Sequence, residues 1–471
     1  MRNEEDTSMS EEKNTYIEGL IERARKAQKQ IEYATQEQVD LAAQMLCWRA
    51  VDEKFASELS EFAVAESGMG DVPSKYAKMM NKVRGGWQDM KGQKSVGIIE
   101  ENHAEGLVKI AKPVGVVGAL VPCTNCEATP VLKASWGIKT RNAVILAPHP
   151  RTKKTNAMVT EMMRGVLKEL GMPEDLIISM DEVSVENSKA LMSGCDLILA
   201  TGGPGMVKSA YTSGTPAYGV GAGNAVTVVD ESEKMSEVAE RIRKSKTFDQ
   251  ATSCSSENSA VVYEGIYEEF MKEMEAQGGY LCGAEEKRKL GQAMWPDGHT
   301  LNREVVAQSA QKIAKAAGIQ LPEGKSFLMV EESGIGASYP FSGEKLSVVL
   351  TVYRYKEFKD AIEMVNEITE YSGTGHSCGI HTSSRERVLE LAERVKVSRI
   401  MVNQPQALAN SGAWTNGMPI TLTLGCGSWG GNISSENITW KHLMNTTWVS
   451  YPIASKQEDD EVLFSEQVRK A

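Results

Sequence analysis

Three short segments carry residues whose types and spacing suit chemistry. Cys254 sits in Asp249-Gln250-Ala251-Thr252-Ser253-Cys254-Ser255-Ser256-Glu257, a small polar stretch directly ahead of a strand candidate at 259–263. A thiol among hydroxyls at such a junction faces a cleft, the setting of a nucleophile; the alternative, a structural cysteine, more often sits in an apolar run. His376, flanked by Gly375 and Ser377, is either an accessible acid or base or an ordinary surface or core histidine. Asn125 lies inside Cys123-Thr124-Asn125-Cys126, where its amide is able to donate to a developing oxyanion. The C-x-x-C around it admits a redox dithiol or half a zinc site. No second pair and no histidine at ligand spacing accompany it, so no metal is expected.

Two glycine segments could receive a ligand. Leu197 to Lys208 reads as a strand, a glycine turn and a helix start, in which Thr201, Gly202, Gly203 and Gly205 leave unpaired amides where a dinucleotide pyrophosphate would fit. It is not a full G-x-G-x-x-G. Gly219-Val220-Gly221-Ala222-Gly223-Asn224 suits either a close approach to a ligand or a tight crossing of two elements.

The elements that must position these residues alternate. Ile17, Leu20, Ile21, Ala24, Ala27 and Ile31 recur at helical spacing, and Thr35-Gln36-Glu37-Gln38 forms a capping box for a second helix toward Val51. β-rich runs at 114–121, 143–146, 197–200 and 226–229, separated by helical stretches such as 157–170, predict a parallel α/β sheet. A second α/β lobe starts near Lys246, with strands at 259–263, 347–353 and 399–402. The 471 residues suffice for two or three lobes, and 52 Lys and Arg against 63 Asp and Glu, with no basic block, make nucleic acid an unlikely partner. No apolar run approaches the roughly 20 residues of a membrane span. The N-terminus lacks the features of a signal peptide, which implies a soluble, cytoplasmic protein with its eight cysteines as free thiols.

Together these segments resemble the aldehyde dehydrogenase superfamily, in particular its CoA-acylating branch, from about residue 15 to 450. The strings that carry the resemblance are ILAPHPR at 145–151, LILATGGPGMVKSAY at 197–211, GVGAGN at 219–224, SKTFDQATSCSSE at 245–257 and LTLGCGSWGGN at 422–432. They look like the dehydrogenase half of bifunctional alcohol/aldehyde dehydrogenases and like stand-alone acylating enzymes for succinate semialdehyde and sulfoacetaldehyde; no alcohol dehydrogenase half follows Ala471. The resemblance implies an α/β aldehyde dehydrogenase-like fold with a small oligomerisation flap. It divides the chain into a flexible acidic tail at 1–14, a Rossmann-like NAD(P)-binding domain at 15–245, a catalytic domain at 246–425 and a C-terminal return and oligomerisation segment at 426–471. It makes Cys254 the nucleophile, Asn125 the oxyanion amide and His376 a neighbour of the active centre. Thr201, Gly202, Gly203, Gly205, Gly221 and Glu344 fall to the cofactor, NAD or NADP. Pro148 and His149 join them, in a string that replaces the Lys-Pro-x-Glu of hydrolytic members. A homodimer or homotetramer is implied, and association with a bacterial microcompartment is left open.

Val220 stands where hydrolytic relatives carry a general-base glutamate, which favours transfer of the acyl group to CoA over hydrolysis. A hydrolytic enzyme and a non-catalytic binding protein that keeps the fold are the competing readings. Thr252, Ser253 and Ser255 form a hydroxylic wall beside the thiol. The expected covering loop, Asn403 to Asn416, is rich in amides and hydroxyls, neutral donors that would spread the charge of a sulfonate or carboxylate without a buried lysine. The expected order of substrates is sulfoacetaldehyde, succinate semialdehyde, acetaldehyde, while an inward-facing Glu127 would repel an anion.

Overall fold

The computed structural model describes residues 3–471, apart from the side chains of residues 3–14 and of Pro204; the acidic tail expected at 1–14 falls outside the described side chains. The helix Asn3–Ile31 buries Ile17, Leu20, Ala24, Ala27 and Ile31. Thr35 caps the next helix, Gln36–Ala50, with Gln38 completing the box. These two helices join a core around a five-stranded parallel sheet whose strands run, edge to edge, Ile177–Ser179, Ala143–Pro148, Val116–Val121, Leu197–Ala200 and Ala217–Gly219. Val116–Val121 and Ala143–Pro148 are buried along their whole length, as central strands covered by helices on both faces must be.

A second parallel sheet has seven strands, in the order Gly279–Leu281, Phe327–Glu331, Val349–Tyr355, Ser259–Tyr263, Val226–Val229, Cys378–His381 and Ile400–Val402. Val226–Val229, expected in the first sheet, therefore pairs in the second. The following helix, Met235–Thr247, also packs into the second lobe through Met235, Val238, Ala239 and Ile242. The first sheet ends with Ala217–Gly219, well ahead of the division expected at 245. An apolar run of four residues fits the middle of either sheet, and its periodicity does not say which neighbours it will pair with.

Gly97–Asn102, Leu107–Pro113 and Met444–Ser450 make a separate antiparallel ribbon. The chain returns to the first lobe before reaching it: Ile438, Trp440 and Leu443 enter that core, and the buried Asn142 amide donates to the Leu443 carbonyl at 2.8 Å. All eight cysteines are free thiols. Among the described residues no helix is long and apolar enough to cross a membrane.

Candidate active site between the two sheets

In a parallel sheet a ligand crevice opens beyond the carboxyl ends of the strands, where successive connections leave in opposite directions. From Val116–Val121 the chain passes to Ala143–Pro148 on one side, while Leu197–Ala200 lies on the other. Asn125 stands just past the end of the first of these strands in a short turn, Cys123–Asn125. Pro148 and His149 end the second, and Thr201, Gly202 and Gly203 follow the third. The helix Pro204–Tyr211 starts there with no side chain capping its amides. A Cβ on Gly203 or Gly205 would meet nothing within 4 Å, so the fold leaves open space around the turn. Free amides facing open space fit the pyrophosphate of a dinucleotide. The Thr201 hydroxyl accepts from the buried Lys133 Nζ at 2.9 Å, which ties the turn to the helix Ala128–Lys139.

Cys254 arrives from the other lobe. Gly223 is indispensable to its placement: a Cβ there would lie 2.2 Å from the Cys254 carbonyl oxygen, so this glycine segment is the site of a tight crossing. The Gly223 amide donates to Glu344 Oε1 at 3.2 Å, while the Gly221 amide donates to Asn432 at 3.2 Å. Cys254 Sγ is 3.1 Å from His376 Nε2, and His376 Nδ1 is 2.8 Å from the Ser377 hydroxyl. Burial pushes the thiol up to about 12, with the Glu344 charge acting the same way. Burial, aided by the Arg399 charge, pushes His376 down to about 3. The resting pair is thus a neutral thiol beside a neutral imidazole that is free to accept its proton. Glu344 itself is pushed up to about 8 by burial, so it is largely uncharged at neutral pH.

The loop ahead of the thiol is anchored by charges the sequence reading passed over. Asp249, Gln250 and Ala251 all have left-handed backbone, with φ of 49°, 53° and 59°, a conformation costing about 1–2 kcal/mol per non-glycine residue. The buried Asp249 carboxylate accepts from Lys78 Nζ at 2.6 Å, Lys75 Nζ at 3.3 Å, the Thr252 hydroxyl at 2.7 Å and the Asp71 amide at 2.9 Å. Breaking a buried ion pair costs about 3–5 kcal/mol, an anchor of the size needed to hold that turn. Lys78 also pairs with Glu127 at 3.0 Å, and Lys75 with the same carboxylate at 3.7 Å. Glu127, which would repel an anion only if it faced the pocket, is fully buried beside two ammonium groups.

Lys78 Nζ donates to Asn125 Oδ1 at 2.6 Å as well. That bond takes up the carbonyl end of the amide, fixes its rotamer and leaves the NH2 end for the cavity that Asn125 shares with Cys254. Lys75, Lys78 and Lys82 recur at helical spacing in Val72–Lys78 and the wider turn Met79–Val83. Lysines on the stripe that also carries Met79 and Val83 were the available signal, since an unpaired charge does not survive on a buried face.

Thr252, Ser253, Cys254 and Ser255 line one small cavity together with Asn125. The Thr252 hydroxyl is committed to Asp249, while the buried Ser255 hydroxyl lies next to the Cys254 thiol. An adjoining cavity of about 270 Å³ is walled by Gln404, Pro405, Leu408 and Trp414 of the expected covering loop. The amides of that loop are spent on the loop and on the strands beside it. Asn416 bonds to Gln404 and the Ala409 carbonyl, and Asn403 to Thr382. The groups at the cavity wall that carry charge are Lys78 and Lys82, which corrects the expectation of neutral donors without a buried lysine.

A thiol, a neutral imidazole and an oriented amide converge between two parallel sheets, an arrangement for covalent chemistry at a carbonyl carbon. Residues 2–325 and 341–418 match the aldehyde dehydrogenase family. The chain is 46% identical over 458 residues to a sulfoacetaldehyde dehydrogenase of Acholeplasma sp., covering 96% of this chain and 94% of that protein. It is 46% identical over 454 residues to the sulfoacetaldehyde dehydrogenase (acylating) of Bilophila wadsworthia, covering 96% and 98%. The crystal structure of an acetylating aldehyde dehydrogenase from Geobacillus thermoglucosidasius matches with a TM-score of 0.92 at 35% identity, over 96% of this chain and 99% of that one. The chain belongs to the aldehyde dehydrogenase family.

Two outcomes are expected from this geometry. Alkylation of Cys254 by iodoacetamide in the ligand-free protein should be slow at pH 7 and rise about tenfold per pH unit through pH 9, because a thiol held near 12 ionises only far above neutrality; a plateau by pH 8 would contradict it. Lys78→Met should lower kcat about 100-fold, the loss typical of one oxyanion donor, with little change in the KM for NAD(P)+. Equal losses in kcat and in cofactor KM would point to collapse of the loop instead.

Proposed function

We propose that this chain is a CoA-acylating, NAD(P)-dependent aldehyde dehydrogenase acting on a short anionic aldehyde, sulfoacetaldehyde first. The observation that carries the reading is the 3.1 Å contact between Cys254 Sγ and His376 Nε2 in a pocket with no ionised base at Val220. Relatives named sulfoacetaldehyde dehydrogenase, similar over almost their whole length, support the substrate.

His376, neutral at rest, takes the thiol proton as Cys254 Sγ attacks the aldehyde carbon. The Asn125 amide, held by Lys78, and the Cys254 backbone N–H bind the resulting oxyanion, a contribution of about 3 kcal/mol per donor. A nicotinamide dinucleotide fits the turn Thr201–Gly205 with Pro148, His149, Gly221 and Glu344 around it, and when bound it supplies the hydride acceptor. A thioester on Cys254 remains. Water needs a general base to attack it, whereas the CoA thiol is a good nucleophile once partly ionised. Val220 is an apolar side chain buried in the fold and supplies no base at the position where hydrolytic relatives carry one, so CoA takes the acyl group. The exposed ribbon with Trp448, Tyr451 and Ile98 at its surface offers strand edges and apolar area to a second copy, in keeping with a homodimer or homotetramer.

Product analysis tests the reaction. With sulfoacetaldehyde and NAD(P)+, reduced cofactor and acyl-CoA should form together and only when CoA is present; free acid accumulating at the same rate without CoA would replace this reading with the hydrolytic one. Cys254→Ala should lose turnover by at least about 1000-fold while NAD(P)+ still binds in a fluorescence titration.

A further inference from the structure

Lys82 is the charge the catalytic machinery leaves over. Lys75 and Lys78 are matched by Glu127 and Asp249. Lys82, 7% exposed on the wider turn Met79–Val83, has no carboxylate partner among the described residues. Its Nζ donates to the carbonyls of Leu408 at 3.2 Å, Ser411 at 3.4 Å and Gly412 at 2.5 Å, and the charge felt there is the like charge of Lys78. Buried charges in folded proteins are paired or neutralised. Burial, with the like charge of Lys78 beside it, draws this amine down to about 7, and an anion bound next to it would favour the full ammonium.

The position of this unmatched group is what gives it meaning. Lys82 lines the small cavity of Cys254, Asn125 and Ser255, and also the adjoining cavity of about 270 Å³ under Trp414. It is one of three residues, with Lys78 and Phe248, that the two linings share. The buried Ser255 hydroxyl, next to the Cys254 thiol, lines the inner cavity as well.

Resting on the acylating reading above, we propose that Lys82 is a specificity-determining residue that receives the anionic end, sulfonate or carboxylate, of a short aldehyde whose carbonyl lies at Cys254. The carbonyl cradle of Leu408, Ser411 and Gly412 fixes the ammonium against the wall, and the substrate provides the counter-charge the protein lacks. A neutral aldehyde of the same length gains nothing from the lysine. The step is binding only; the covalent chemistry stays with Cys254.

The test compares sulfoacetaldehyde with propionaldehyde in the wild type, Lys82→Met and Lys82→Arg, with CoA and NAD(P)+ saturating and folding checked by thermal melting. In Lys82→Met the ratio of kcat/KM for sulfoacetaldehyde over propionaldehyde should fall about 100-fold, as when one partner of a buried charge pair is removed. The loss should lie mainly in KM, and Lys82→Arg should restore part of it. Equal losses for the two aldehydes, or an unchanged ratio, overturn the proposal. A second measurement needs neither turnover nor a folded variant: ethanesulfonate should protect wild-type Cys254 from iodoacetamide, and the uncharged dimethyl sulfone should not. Absence of that difference also overturns it. Acyl-CoA formation from propionaldehyde but not from sulfoacetaldehyde, with ethanesulfonate protection intact, would sink the substrate reading while leaving the anion subsite standing.

Discussion

Two lysines and two carboxylates, all nearly or fully removed from water, hold this active site together. Lys75 and Lys78 come from a helix of the first lobe, Glu127 from the segment after Asn125, and Asp249 from the segment before Cys254. Ions taken out of water are tolerable only when their mates are fixed close by. The cluster therefore dictates the distance between the loop that carries the amide and the loop that carries the thiol. The strained backbone at Asp249–Ala251 is affordable because so many partners converge on a single carboxylate. Lys78 adds a further constraint, since its bond to Asn125 Oδ1 decides which end of that amide faces the reaction.

The reacting pair shows the opposite principle. Cys254 and His376 are kept neutral because desolvation raises one group while it lowers the other, and it outweighs the Arg399 charge and the Ser255 hydroxyl that favour the thiolate. A cysteine that ionises only as it transfers its proton to an adjacent imidazole is protected against stray electrophiles and oxidants, which react with thiolate. The hydroxyls around Cys254 are real, but Thr252 points its hydroxyl at Asp249, and the pocket as a whole is drier than its composition.

The covering loop teaches a related lesson. Asn403, Gln404, Asn410 and Asn416 were legible as hydrogen-bonding residues, and the segment does wall the outer cavity. An irregular loop has many backbone groups to satisfy, however, and its own amides are the nearest donors and acceptors. Composition counts such groups; it cannot tell which are already taken. The lysines on Val72–Val83 share a stripe with the buried Met79 and Val83, a pattern that is easily taken for an ordinary amphipathic helix with its charges turned outward.

By itself, the sequence determined the local grammar: the Thr35 capping box, the buried strands from Val116, Ala143 and Ser259, the glycine turn after Ala200, and the chemical candidates Cys254, Asn125 and His376. These are readable because a cap, a fully apolar strand or a small polar loop is specified by residues close together in the chain. Tertiary structure alone decided that Val226–Val229 joins the second sheet, that Gly223 must lack a Cβ because Cys254 crosses it, and that Glu127 is paired and not repulsive. It also decided that, among the described residues, Lys82 is left without a carboxylate. Each of these depends on contacts between residues far apart in sequence, where the free energy of burying a charge or packing a backbone is set by whichever group folding brings alongside.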